Sequence, residues 1–229
     1  MYVHTFALSI KIKTNQQMKK TSTLFIAFML LIAGIATAQT KTMTKTVTKT
    51  VAAAGPTNWT ADPMHSSVKF TVPHMGISEV EGRFGTFAGT MVQQGADFTN
   101  AQVNFTADVS SVNTDNDMRD KHLKSDDFFN ADKYPKMTFV STSFKKGKGN
   151  TYVLEGNLTI RDVTKKVKFE VSYGGTMTDP YGNIKSGFKA TGKISRAAYN
   201  LKWNTVKEGV AVVGDEVTII LNLEFAKAK

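Results

Sequence analysis

Ala101-Gln102-Val103-Asn104-Phe105-Thr106-Ala107-Asp108-Val109 is the stretch that decides the fold. Apolar and polar residues alternate across it without a break. A period of two puts one set of side chains on a buried face and the other in water, as in a half-buried β-strand. The same period returns along the chain. Val68, Phe70 and Val72 carry it first, and Tyr152, Leu154, Gly156, Leu158 and Ile160 repeat it. Val167, Phe169, Val171 and Tyr173 follow, then Phe188, Ala190, Gly192 and Ile194, and last Val217, Ile219, Leu221, Leu223 and Phe225. Two less regular runs, Val80 to Val92 and Met137 to Phe144, bring the count to about eight strands.

The connections are short, polar and glycine-bearing: Gln94-Gly95-Ala96-Asp97, Lys146-Gly147-Lys148-Gly149-Asn150 and Asp179-Pro180-Tyr181-Gly182-Asn183. Such turns join antiparallel neighbours. Many strands with one apolar face and few helices predict an all-β protein, a single antiparallel closed barrel, because closure removes exposed sheet edges. A β-sandwich is the alternative. Gly82, Gly89, Gly156 and Gly192 fall on the apolar phase. Interior glycines mark sharp bends, or backbone that something approaches closely. In a barrel they predict corners or room for a ligand.

One segment breaks the pattern. Residues 119–135 read Arg-Asp-Lys-His-Leu-Lys-Ser-Asp-Asp-Phe-Phe-Asn-Ala-Asp-Lys-Tyr-Pro, with paired aromatics inside a run of charge. Asn113 to Asn116 offer helix caps, and one short helix is predicted over Asp117 to Lys124. Met118 and His122 share one face of it, Arg119 and Leu123 another, and Asp120 and Lys124 are spaced for a surface pair. Phe128 and Phe129 follow, and Pro135 stops any continuation. An insertion of this kind between strands is expected to form a lid over one end of the barrel.

The ends of the chain divide as follows. Lys19-Lys20, the apolar run Leu24 to Ile35 and Ala36-Thr37-Ala38 have the form of a cleavable export signal. That run is shorter than the roughly 20 residues a membrane span requires. Residues 1–38 are therefore expected to be an upstream extension plus signal peptide, removed on export to the periplasm. Residues 39–57 are rich in Thr and Lys and read as a flexible tether. Residues 58–226 are the expected barrel, and 227–229 a tail. The formal charge of +10 is misleading. Lys11, Lys13, Lys19 and Lys20 lie in the leader, and five more lysines lie in the tether and tail, so the barrel is nearly neutral. No Cys is present, so an exported form must stand on its core without disulfides.

Reactive motifs are lacking. There is no Gly-x-Ser-x-Gly, no His-Glu-x-x-His and no nucleophilic Cys. His65, His74 and His122 lie far apart with no metal-ligand spacing, so no metal and no cofactor are expected. Phe70, Phe84, Phe105, Phe139, Phe169 and Phe188 fall on the inward phase, which predicts a lined interior and not a nucleic-acid face. Closing about eight strands leaves an interior that side chains fill or that holds one ligand. A greasy lumen offers burial and little else, so its natural guest is a long apolar chain.

The ordered motifs resemble those of the YceI-like family, described as periplasmic polyisoprenoid-binding proteins with a lipocalin-like barrel. The resemblance runs from Trp59 to Phe225. It rests on Trp59-Thr60-Ala61-Asp62-Pro63-Met64-His65-Ser66, Arg119-Asp120-Lys121-His122-Leu123, Phe128-Phe129, Gly156-Asn157-Leu158-Thr159-Ile160 with Val163-Thr164, Arg196 to Leu201, and Val213-Gly214-Asp215-Glu216-Val217. Three positions depart from its pattern. Asp162 and Asn200 stand where Gly is usual, and both residue types tolerate a left-handed backbone. Asn130 replaces a usual Asp and removes a charge beside the lid. The resemblance implies a binding protein, not an enzyme, that holds a polyisoprenoid or a quinone-like isoprenoid as carrier or reservoir. An enzyme or accessory factor acting on the headgroup is the alternative. The expected ligand site combines Phe70, Phe84, Phe105, Phe139, Leu158, Phe169 and Phe188 from the wall with Arg119, His122, Leu123, Phe128 and Phe129 from the lid. Arg119, Asp120 and Arg196 each fit either a structural tie or a headgroup contact. The partner implied is isoprenoid lipid, not nucleic acid. Membrane contact would be transient, and a homodimer is left open.

Overall fold

The computed structural model describes residues 55–229 except 208, so the expected leader and nearly all of the tether lie outside the described residues. The chain forms β1 (Thr57–Ala61), β2 (Ser67–His74), β3 (Ser78–Phe84), β4 (Phe87–Gln93), β5 (Gln102–Asp108), β6 (Val112–Asn113), α1 (Asp117–Lys124), β7 (Lys136–Lys146), β8 (Thr151–Ile160), β9 (Val163–Thr178), β10 (Ile184–Ser195), β11 (Val206–Lys207), β12 (Val210–Ala211) and β13 (Glu216–Lys227).

Pairing is antiparallel throughout and follows chain order. β2 pairs with β3 and β1 with β4, so these four segments make two long, broken wall strands. β5, β7, β8, β9, β10 and β13 follow, each beside the last. β13 then pairs with β1 and β2, which closes the ring. The result is an eight-stranded antiparallel barrel of the up-and-down kind, and the eight runs read from the period of two are its eight wall strands.

The breaks have local causes. Asp62 caps a short turn by accepting from the Met64 N–H at 3.0 Å, and Pro63 supplies a preset φ, so the first wall strand bends between β1 and β2. Gly85 and Thr86 separate β3 from β4. At the ends, Thr57 pairs with Gln93 and Lys227 with Trp59, so the barrel extends one residue beyond each expected boundary.

Helix α1 occupies the predicted residues, with the Asn116 side chain accepting from the Arg119 N–H at 3.0 Å. The expected Asp120–Lys124 surface pair does not form. Asp120 is buried, and its carboxylate accepts from both the Thr114 N–H and the Thr114 hydroxyl. Asn200 has the left-handed φ expected of it (63°), but in the β8–β9 turn that conformation belongs to Arg161 (56°) and not to Asp162. Asn130 is also left-handed (51°) and donates to Asp126 at 2.6 Å. Its exchange for Asp therefore keeps the turn.

The four interior glycines are places of close approach, as one reading of the sequence had it, and not room left for a ligand, as the other did. Each lies under a phenylalanine ring of the neighbouring strand: Gly82 under Phe70, Gly89 under Phe105, Gly156 under Phe139 and Gly192 under Phe169. The close approach is by the protein's own aromatics. These rings form much of the inner wall.

Candidate functional site

The barrel encloses an apolar cavity of about 200 Å³. Phe70, Phe84, Phe105, Phe139, Leu158, Phe169 and Phe188 line it from the wall, as their inward phase requires. Leu123 from α1 and Phe128 and Phe129 from the segment after it line it from above. Ten of the twelve residues expected at the site thus meet around one space. Arg119 and His122 do not line it.

Arg119 ties the lid down instead. Its guanidinium donates to the Thr114 hydroxyl and to the Thr114 carbonyl, both at 2.7 Å. With Asp120 on the other side of Thr114, the first turn of α1 is pinned to the chain leaving β6. His122 stands edge-on to Phe128 and to Trp203, each at 5.0 Å between ring centres, and its Nε2 meets Asp127 at 2.8 Å. Phe128 in turn packs on Trp203 at 5.4 Å, and Phe129 stands edge-on to Phe84 at 5.9 Å. The paired aromatics therefore face two ways, one toward the loop carrying Trp203 and one onto the wall.

Arg161, in the tight β8–β9 turn, was not singled out from the sequence. Its guanidinium donates to the carbonyls of Asp126 and Phe128 and to the Asp126 carboxylate, at 3.0–3.1 Å, and lies over the Tyr134 ring. The available signal was an Arg in the two-residue break between Ile160 and Val163. Trp203 offered none, because it lies outside any periodic run.

Arg196 resolves toward structure. It is buried, and donates to the carbonyls of Gly214, Leu201, Trp203 and Val213. It staples the long β10–β13 connection across the same end of the barrel as the lid. Burial lowers its pKa from the ordinary arginine value. Asp215 beside it is held below the usual carboxylate range by the Ser195 hydroxyl and the Ala197 N–H.

The histidines do not converge. His65 joins Asp62 and Glu224 in the one group of three potential metal ligands among the described residues. The Lys185 ammonium sits at 2.7 Å from Asp62 and 3.1 Å from Glu224, so those carboxylates already have their cation. Lys185 first, and His65 second, hold the Asp62 carboxyl well below the ordinary range. His74 ends β2 and bridges to Val213. Together these contacts serve the bend between β1 and β2 and the connection before β13.

Fold and site together define a closed antiparallel barrel with an apolar interior, roofed by a helix and an aromatic pair. The chain belongs to the YceI-like family, whose domain matches residues 59–225. It is 36% identical over 172 residues to a UPF0312 protein of Staphylococcus aureus, covering 74% of this chain and 98% of that one. Among solved structures it is similar to BcnA of Burkholderia cenocepacia (TM-score 0.63, 26% identity, covering 72% of this chain and 98% of that one). It also shares its fold with a polyisoprenoid-binding domain from Saccharophagus degradans implicated in plant cell wall breakdown (TM-score 0.53, 16% identity, covering 74% and 98%).

Proposed function

We propose that the protein is exported and holds a long apolar isoprenoid, a polyisoprenoid or quinone-like lipid, in its barrel as carrier or reservoir. The observation that carries this reading is the cavity wall. It is apolar almost throughout, and the donors of its buried cation, Arg196, are directed to main-chain carbonyls. Such a space offers burial, about 0.8 kcal/mol per CH2 group, and no group poised for bond making. Family membership and the fold shared with the polyisoprenoid-binding domain of Saccharophagus degradans support the same class of guest.

Size adds a condition. An apolar cavity of about 150 Å³ accommodates one benzene. A space of about 200 Å³ therefore takes one or two isoprene units in the closed form. A longer chain enters as the lid lifts and the phenylalanines over the four glycines turn aside. Native mass spectrometry of protein from its own host, followed by organic extraction, tests the reading. A co-purified isoprenoid that is not turned over supports it. An empty protein that also fails to take up added polyprenol overturns it. Export is tested on the same material: an N-terminus at Gln39 is expected, and a mature chain that retains Leu24 to Ile35 refutes it.

A further inference from the structure

The barrel wall parts between β9 and β10. The β9–β10 ladder stops at the Phe169–Gly192 pair. β9 nevertheless continues to pair with β8 back to Val163, and β10 with β13 on to Ser195. Below Phe169 the two strands therefore part, with Tyr199 tucked near the gap. The result is an open, lysine-rimmed cleft of about 550 Å³ on the same end as the lid. Main-chain groups that a continued ladder would use face this cleft.

The cleft's chemistry differs from that of the lumen. Lys165, Lys166, Lys168 and Lys193 line it, against a single acid, Glu170. Lys193 is neutralised by Glu216 at 2.7 Å. Lys165, Lys166 and Lys168 make no ion pair among the described residues, although Glu155 lies opposite Lys168 in the ladder and accepts from Ser143 instead. Tyr199 also lines the cleft. It is 2% exposed, and its hydroxyl has no hydrogen-bond partner among the described residues. Burial pushes its pKa up to about 12, so it remains a donor. Ile194 lines both the cleft and the inner cavity, so the two spaces share it as a wall.

We propose that this cleft seats a phosphate-class anion, with Lys165, Lys166 and Lys168 as its cations and Ile194 as the partition from the lumen. The proposal rests on the reading that the lumen holds an apolar chain, and it assigns that chain an anionic head. An amphiphile then spans the wall at the gap, tail inside and head outside. The free run of β10 is only Lys193 to Ser195, too short to template an added strand, so a small anion suits the cleft better than an extended peptide.

The test compares two fluorescent probes of equal chain length, a polyprenyl monophosphate and the uncharged polyprenol, on wild type, Lys165→Gln/Lys168→Gln and Tyr199→Phe. Wild type should bind the phosphate about tenfold or more tighter, as charge-assisted contacts require. The lysine variant should lose most of that preference while keeping its affinity for the alcohol. Tyr199→Phe, which retains the ring, should lose part of it. Equal binding of both probes by wild type, or a preference that survives the lysine variant, overturns the cleft and leaves the lumen reading intact. If neither probe binds, the lumen reading fails. Inorganic phosphate then decides the cleft as a seat for the free ion: shifts of the Lys168 and Gly192 amide resonances, lost in the lysine variant, support it, and their absence overturns it.

Discussion

Replacing Gly156 by alanine isolates the most demanding contact in the barrel wall. A Cβ there would lie 2.5 Å from Cε2 of Phe139 and 2.5 Å from the Val140 carbonyl oxygen. The ring can retreat into the lumen, which Phe139 already lines. The carbonyl cannot move without disturbing the β7–β8 ladder. Overpacking of this kind costs about 1–3 kcal/mol. The lower backbone entropy of alanine in the unfolded chain offsets about 0.4–1 kcal/mol. A net loss of about 1.5 kcal/mol is expected, which lowers the melting temperature of a domain this size by about 3–6 °C. Gly82→Ala is the internal control. Its obstacles are the far end of Phe70, a half-buried ring that can swing aside, and the Thr114 methyl group at 2.8 Å, but no carbonyl, so a smaller loss than at Gly156 is expected. Adding Phe139→Leu to Gly156→Ala should recover part of the loss, because it relieves the ring and not the carbonyl. Thermal and urea denaturation followed by circular dichroism measure all four proteins. A Gly156→Ala protein as stable as wild type, or no worse than Gly82→Ala, would refute the idea that these glycines exist to seat the phenylalanine rings.

The lid is probed by Phe128→Ala/Phe129→Ala, which should stay folded yet release a fluorescent isoprenoid faster in a stopped-flow displacement assay; an unchanged off-rate in a folded double variant removes the gating role. Phe169→Asp buries a lone charge and should abolish folding or lipid retention, whereas Asn104→Ser on the outer face should be silent by the same measurements. Asp62, with its folded pKa depressed by Lys185, contributes stability that is full above its unfolded value of about 3.8 and is lost as pH falls through the folded value. Urea midpoints followed from pH 5 downward should therefore fall less steeply for Asp62→Asn than for wild type, though Asp97, Asp115, Asp179 and Asp215, also depressed, keep some slope in both. Arg196→Met strips the donors from four carbonyls and should cost about 2–4 kcal/mol in chemical denaturation, with Arg196→Lys recovering little because one ammonium cannot reach all four.

Local pattern alone located the wall strands, their inward faces and α1. Strand phase and helix capping are properties of residues one to four apart, so Phe105 points in and Asn104 points out whatever lies beside them. The same locality explains the seven lining residues of the wall: inward phase on a closing sheet leaves them nowhere else to go. Contacts between distant segments depend on register and closure, which no short window contains. Phe139 covers Gly156 only because β7 and β8 pair in one register. Arg161 reaches Asp126 across 35 residues, and Lys185 reaches Asp62 across 123. Trp203 joins the lid because Arg196 folds its loop over the barrel end. Arg119 looked equally suited to a ligand or to the helix until Thr114 was placed beside it. The opening between β9 and β10 left one trace in the sequence: Lys165 falls on the inward phase and ends the period of two of β9 just beyond the point where the strands part. Sequence by itself determined which side chains face inward; the closed barrel decided which of them touch, because only closure brings strands from opposite ends of the chain to within hydrogen-bonding distance.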